Sequence, residues 1–209
     1  DPKPLIEVDG KPMIEHVLEI FGKPEDVIFI CNDRHTRETD MLKVLLDICP
    51  TAEIYTVPEG SCRGPVEVVL KHIDKLSDSK EIIVSYCDYG TKWNIEVFLQ
   101  VVRRYSDDGT IACYTGFHPH MLGNDHYAYC KLDKCQVVKV QEKKPFSYDK
   151  MSEYASNGTY YFKNRDIIQK YFQRLVDSGE TINGEFYVSM VYNHMISDGL
   201  DVGIYLIDK

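Results

Sequence analysis

Short apolar runs alternating with amphipathic stretches constrain this chain most. VIFIC (27–31) is a continuous apolar run too short for a helix, the mark of a strand buried on both faces, and AEIYTV (52–57), EIIVSY (81–86) and TIACYTG (110–116) are similar. Between them lie helical patterns. Met13, Ile14, Val17, Leu18 and Phe21 share one face over 12–21, with Pro12 suited to the first turn. Val66, Val69, Leu70, Ile73 and Leu76 do the same over 65–76 behind Pro65, as do Ile95, Phe98, Val102 and Tyr105 over 95–105. A β-α-β-α rhythm of this kind predicts a Rossmann-like α/β fold, a mixed but mostly parallel sheet flanked by helices on both faces.

The rhythm changes after residue 116. YAYCKLDKCQVVKVQE reads as two strands joined by a tight turn, and NGTYYFKN (157–164) as another strand. Two helices follow, one with Ile167, Ile168, Tyr171, Phe172, Leu175 and Val176 as its stripe, the other with Tyr187, Val188, Val191, Tyr192, Met195 and Ile196. VGIYLID (202–208) closes the pattern as a last strand. With 209 residues and no linker or repeat, the expectation is a single domain over 1–209, its first half 1–116 and its second half 117–209.

Composition removes several function classes. Hydrophobic residues make up 44% of the chain, so it is globular rather than disordered. The formal charge of −9 argues against a nucleic-acid partner, although a small anionic substrate needs only local positive charge. No apolar run approaches the roughly 18 residues of a membrane span. Cys31, Cys49, Cys62, Cys87, Cys113, Cys130 and Cys135 are odd in number and mostly in apolar contexts, as expected of buried thiols in a reducing cytoplasm. A zinc site drawn from His118, His120, His126, Cys130 and Cys135 lacks any paired CxxC, and Cys130 and Cys135 flank a turn.

Open α/β sheets bind ligands at the carboxyl ends of their strands. The stretches to inspect are therefore Asn32–Arg37, Pro58–Gly64, Cys87–Asn94, Gly116–Leu122 and Glu142–Ser147. Asp88 directly follows an apolar strand, where an acid can hold a divalent metal facing a phosphate, or act as a cap or turn acid. Lys3 stands between two prolines that fix its direction, as a phosphate contact needs or as a stiffened surface loop produces. In PEGSCRGPVEVV, the turn at Glu59, Gly60, Ser61, Cys62, Arg63 and Gly64 offers backbone N–H groups and close approach to a planar ligand, or merely punctuates a loop. Glu142, Lys143 and Lys144 end a strand, as an anion site or a solvated charge run. Asn157 and Gly158 sit just before a strand, and Glu185 falls in the first turn of a helix, where the dipole favours an acid anyway. No Ser-His-Asp order, GxGxxG or GxxxxGK[ST] is present.

Taken in order, these stretches resemble the sugar-phosphate nucleotidyltransferases, the nucleoside-diphosphate-sugar pyrophosphorylases. PKPLIEVDGKPMIEHVLE looks like the segment after that family's Gly-x-Gly-x-Arg loop, VSYCDYG like the strand ending in its metal-binding Asp, and EKKP like its Glu-Lys-Pro element. ASNGTYYF is similar to its Asn-Gly-x-Tyr strand and GEFYVSMVYNHMI to its Glu-Phe helix. GFHPH, VQEKKPF and ASNGTYYF resemble more closely the enzymes of bacterial capsule and surface-polysaccharide clusters.

The resemblance implies a glycosyltransferase-A-like fold with 1–116 as its nucleotide half and 117–209 as its acceptor half. It implies Lys3 on the nucleotide phosphates, the Glu59–Gly64 loop (Glu59, Gly60, Ser61, Cys62, Gly64) on the base, and Asp88 on Mg²⁺ as cofactor, with Lys3 and Asp88 as the catalytic pair. Glu142, Lys143, Lys144, Asn157, Gly158 and Glu185 are implied on the acceptor side. The implied partners are a nucleoside triphosphate and a phosphorylated small-molecule acceptor, with a homo-oligomer left open. The family's glycine-rich loop and a later segment carrying a second metal-binding acid are absent from this sequence. Asp201 and Asp208 are the nearest candidates for that acid, and the expectation is a mobile glycine-rich loop rather than a deletion. Three other functions compete: a nucleotide-sugar glycosyltransferase, disfavoured because Tyr89 and Gly90 follow Asp88 where a D-x-D is usual, a non-catalytic domain of the same fold serving regulation or assembly, and a plain oligomerisation module, disfavoured by the polar strand-end loops.

Overall fold

Pro12 opens the first long helix, and the apolar spacing behind it sets the first core. A computed structural model describes residues 2–117 and 125–207. The chain forms two units, one of Asp1–Arg63 with Tyr86–Ile95, the other of Gly64–Ser85 with Glu96–Lys209.

In the first unit, a 3₁₀ turn at Lys3–Leu5 leads into a hairpin of β1 (Glu7–Val8) and β2 (Lys11–Pro12), then helix α1 (Met13–Ile20). Strand β3 (Ile28–Asn32) pairs in parallel with β4 (Glu53–Val57), and α2 (Asp33–Glu38) and α3 (Met41–Ile48) connect them. Ile14, Val17, Met41 and Leu45 form the buried cluster, with Leu5, Phe29, Cys31, Ile54 and Cys87 packed against it. Trp93 donates its indole N–H to the Ile20 carbonyl (2.9 Å) and meets Phe21 edge-on, which ties the Tyr86–Ile95 segment to the end of α1.

The second unit holds α4 (Pro65–Leu70), β5 (Ile82–Ser85), most of α5 (Ile95–Tyr105) and β6 (Gly109–Tyr114). It continues with β7 (Ala128–Asp133), β8 (Gln136–Glu142), β9 (Tyr154–Phe162), α6 (Arg165–Ser178), α7 (Val188–Ser197) and β10 (Val202–Leu206). The sheet runs β10-β6-β9-β7-β8, with β5 also on β9. Aromatic packing supports it: Phe162 stacks on Tyr192 at 5.1 Å and meets Phe172 edge-on, and the Tyr192 hydroxyl donates to the Tyr161 carbonyl (2.9 Å).

This sheet is mixed rather than mostly parallel. Among the described residues only β10–β6 is parallel within it, because β9 runs antiparallel to β5, β6 and β7 alike and β7 antiparallel to β8. Strand β9 also begins three residues earlier than NGTYYFKN suggests, so Asn157 and Gly158 lie inside it. The register slips there: Ile111 faces Tyr160, whereas Cys113 faces Ser156. The extra residues form a bulge in which the Ser156 hydroxyl accepts from Gly158 N–H (3.1 Å) and the Asn157 carboxamide from Thr159 N–H (3.0 Å). Gly158 has φ +96°, a conformation that a residue with a Cβ rarely adopts.

Two further differences are local. Asn32–Arg37 reads as a loop but forms the start of α2, because the Asn32 side chain accepts from Arg34 N–H (2.9 Å) and caps it. Glu185 reads as first-turn helix but precedes α7: Asn183 and Gly184 both have positive φ and close a tight turn that bridges Ile182 to Glu185.

Candidate functional site

The nucleotide-side candidates start with Lys3 and Asp88, 85 residues apart in sequence. The Lys3 ammonium donates to the Asp88 carboxylate at 2.6 Å, and this hydrogen bond is the main cause of a raised lysine pKa. The two side chains keep 70% and 37% of their exposure, so the pair is worth roughly 0–1 kcal/mol and opens readily for a ligand. Behind it, burial pushes the Cys31 thiol up to about 11 and the Cys87 thiol upward too, which makes both poor nucleophiles at neutral pH. A cavity of about 310 Å³ in this unit is bordered by Lys3, Cys31, Asn32, His35 and Cys87.

The 58–63 segment is fixed from α2. The Asp33 carboxylate accepts from Glu59 N–H (3.1 Å), and the Arg34 guanidinium pairs with the Glu59 carboxylate (3.1 Å). Arg37, 2.6 Å from Asp33, holds the Asp33 carboxyl below its usual range. Gly60 turns the loop at φ +71°, with Ser61 N–H donating to the Pro58 carbonyl (3.1 Å). Sequence reasoning assigned no role to Asp33 or Arg34. The Asn32 cap was the available signal, since it starts the helix that carries both.

In the second unit, Gly64 begins α4 at φ +98°, and a Cβ there would lie 2.8 Å from the Phe186 carbonyl and 3.1 Å from the Glu185 Cβ. Only a glycine allows this approach, so the end of the PEGSCRG turn and the GEFY segment come together.

Three of the acceptor-side candidates, Glu142, Lys143 and Glu185, meet side chains at the start of α7. Glu142 ends β8, and its carboxylate accepts from the Ser189 hydroxyl (2.5 Å). Burial raises the Glu142 carboxyl, and the Ser189 contact partly opposes this. Lys143 adopts φ +54°, donates its N–H to the Tyr127 carbonyl (2.9 Å), and places its ammonium 2.5 Å from the Tyr187 hydroxyl and 4.2 Å from that ring's centre. The Tyr187 hydroxyl in turn donates to the Glu185 carboxylate. The Asn193 carboxamide accepts from Val140 N–H and donates to its carbonyl, both at 2.9 Å, locking β8 to α7. Lys144 points to solvent, and Asn157 and Gly158 are buried in the β9 bulge. Tyr187 belongs to the helical stripe and so reads as packing, whereas Ser189 and Asn193 are polar positions outside that stripe and carry no sequence signal of their own.

Other candidates fall away. No group of three or more His, Cys, Asp or Glu side chains among the described residues is arranged to hold a metal. His126 is exposed, and the Cys130 thiol sits buried 3.8 Å from that of Cys113. His118, His120 and Asp208 lie outside the described residues. Asp201 accepts from the Gln136 side chain (2.7 Å) in the second unit. Of the seven cysteines, none is in a disulfide; Cys49, Cys113 and Cys130 are buried, and Cys135 is exposed.

Comparison with solved structures finds the same fold across 99% of this chain. A nucleoside-diphosphate-sugar pyrophosphorylase from Vibrio cholerae RC9 matches over 84% of its own length with a TM-score of 0.75 and 24% identity. A UDP-glucose pyrophosphorylase complexed with UDP-glucose matches over 82% of its length (TM-score 0.72, 15% identity), and the inositol-1-phosphate CTP transferase of T. maritima over 77% (0.70, 11%). A search of curated proteins finds no match. The family model described as nucleotidyl transferase matches residues 1–199, and the chain therefore belongs to the nucleotidyl transferase family.

Proposed function

We propose that this protein moves a nucleoside monophosphate from a nucleoside triphosphate to a phosphorylated acceptor, a sugar 1-phosphate or a similar compound, in making surface-polysaccharide precursors in the cytoplasm. An acceptor phosphate oxygen attacks the α-phosphorus in line. The bond from that phosphorus to the β-phosphate oxygen breaks, and pyrophosphate leaves with its electrons. The observation that carries this reading is the Lys3–Asp88 pair, a cation and a carboxylate brought within 2.6 Å of each other from opposite ends of the first unit's sequence. Membership in the family supports it.

In this reading Lys3 and the Glu59–Gly64 turn hold the nucleotide within 1–116, and Glu142, Lys143, Lys144, Asn157, Gly158 and Glu185 serve the acceptor within 117–209. The exposed Asp88 carboxylate fits Mg²⁺, a hard cation that is usually held by one or two carboxylates and completed by substrate phosphates and water. Mg²⁺ bound there would offset charge on the phosphates. The chain's own groups align the substrates and neutralise charge. A covalent enzyme intermediate is not required, in keeping with the raised pKa values of Cys31 and Cys87. The resemblance of VQEKKPF and ASNGTYYF to capsule-cluster enzymes supports the polysaccharide setting.

The test is to incubate the protein with Mg²⁺, each nucleoside triphosphate in turn and a panel of phosphorylated acceptors, and to measure pyrophosphate. Release with one pair and not the others is expected. No release with any pair would sink the enzymatic reading.

A further inference from the structure

We propose that Tyr187 is a positioning residue for the acceptor phosphate, because its phenol holds the Lys143 ammonium in place while standing between that charge and the Glu185 carboxylate. This rests on the acceptor-side assignment of Lys143 above.

An ammonium only donates and an ionised carboxylate only accepts. The Tyr187 oxygen therefore accepts from Lys143 at 2.5 Å and sends its own hydrogen to Glu185. The order along the line is ammonium, phenol, carboxylate. Burial, and then the contact with Glu185, push the Tyr187 phenol upward, so it stays protonated and keeps this order at neutral pH. Lys143 is thereby aimed through a neutral hydroxyl rather than by a direct bond to Glu185, although its charge also acts on the neighbouring Glu142 carboxylate.

Rigidity adds to this order. A free lysine side chain loses rotamer freedom when it is fixed, which costs binding energy. Here the ammonium is already held by the hydroxyl and by the face of the same ring, 4.2 Å from its centre. The Lys143 backbone is held by the Tyr127 carbonyl, and neighbouring Glu142 and Val140 are held by Ser189 and Asn193. A phosphate arriving at Lys143 thus meets a cation whose ordering cost is already met.

The test is equilibrium binding of inorganic phosphate, followed by calorimetry, for the unaltered protein, Tyr187→Phe and Lys143→Ala. The Phe variant keeps the ring and removes only the hydroxyl of a half-buried side chain, so it should melt within a few degrees of the unaltered protein. About tenfold weaker phosphate binding is expected for Tyr187→Phe, the loss of one hydrogen bond to a charged group, and loss of detectable binding for Lys143→Ala. In turnover assays the Phe variant should raise KM for the acceptor by the same factor while leaving KM for the nucleotide unchanged. Phosphate binding by Tyr187→Phe equal to that of the unaltered protein would overturn the proposal, as would no phosphate binding by the unaltered protein. If the protein releases no pyrophosphate yet its phosphate binding still weakens in the Phe variant, the transferase reading fails and the Lys143–Tyr187 site stands.

Discussion

The two units handle their key lysines in opposite ways. In the first, Lys3 meets the Asp88 carboxylate directly, on a surface where both ends see water. In the second, Lys143 meets a phenol, and the carboxylate of Glu185 lies one hydrogen bond further on. A direct exposed pair stabilises little and is easily replaced by a stronger ligand, as the proposed uptake of a metal ion and phosphates requires. A cation held through a neutral hydroxyl keeps its direction and its charge, which suits recognition of one anion. The difference teaches that the first unit carries a labile contact and the second a preorganised one.

The largest effect that can break this contrast is at Asp88. Asp88→Asn removes the charge that Lys3 pairs with and the only carboxylate proposed for Mg²⁺. Pyrophosphate release should fall by roughly 10²–10³ or more, the scale of losing electrostatic stabilisation in phosphoryl transfer. Because the pair is exposed, the melting temperature should hardly change. Undiminished turnover would remove Asp88 from the metal site.

Next in size is a comparison of the two lysines themselves. Lys143→Ala should lower kcat/KM for the acceptor by about 10–100-fold, the worth of a charged hydrogen bond, and leave KM for the nucleotide alone. Lys3→Ala should do the reverse. Steady-state kinetics with each substrate varied in turn would show it, and equal effects of both changes on both substrates would erase the distinction between the units.

How much of this could be read beforehand depended on the range of the interactions. The strand-end positions of Asp88 and of Glu142–Lys143 were legible because Asp88 follows an apolar run and Glu142 closes an alternating one, and strand ends are where α/β folds place ligands. Helix α3 was legible too, with Met41, Leu45 and Ile48 at helical spacing, but went unread between stronger signals. Helix α2 has no buried residue, so periodicity could not reveal it. Strand β9 was misplaced because Asn-Gly ordinarily ends a strand, whereas here it bulges within one. The antiparallel pairing of β9 with three partners is wholly non-local. Tyr187 belongs in part to the same class: the sequence reads it into the stripe of α7, and although its hydroxyl's contact with Glu185 is local, that with Lys143 is set 44 residues away.

A third change tests the scaffold beneath the preorganised side. Gly64→Ala puts a Cβ 2.8 Å from the Phe186 carbonyl and demands a strained φ. A destabilisation of about 2–4 kcal/mol is expected in denaturant unfolding, combining backbone strain with overpacking. The displaced Glu185–Phe186 segment should also weaken phosphate binding at Lys143. Unchanged stability would mean that the GEFY segment is less firmly held than the labile side, reversing the comparison.

The smallest effect is the pH dependence of stability at Glu142, neighbour to Lys143. Its carboxyl is raised above the ordinary Glu range chiefly by burial, so over the interval between those two values the folded protein binds more protons than the unfolded chain. Stability must then fall as pH rises through that interval, and ionised Glu142 remains a cost at neutral pH. Glu142→Gln keeps an acceptor for the Ser189 hydroxyl but cannot ionise. The melting temperature of the Gln variant should match the unaltered protein in acid and exceed it slightly at neutral pH. Asp198 provides the opposite sign within the same unit. Arg174, then Lys170, hold its carboxyl down to about 2, so its contribution is full above the ordinary Asp range and disappears as pH falls towards that value. Asp198→Asn should therefore melt lower than the unaltered protein at neutral pH and converge with it in strong acid. If both variants shifted in the same direction, burial would not be what sets Glu142 apart, and the preorganisation argued for the Glu142–Lys143 end of β8 would lose its electrostatic support.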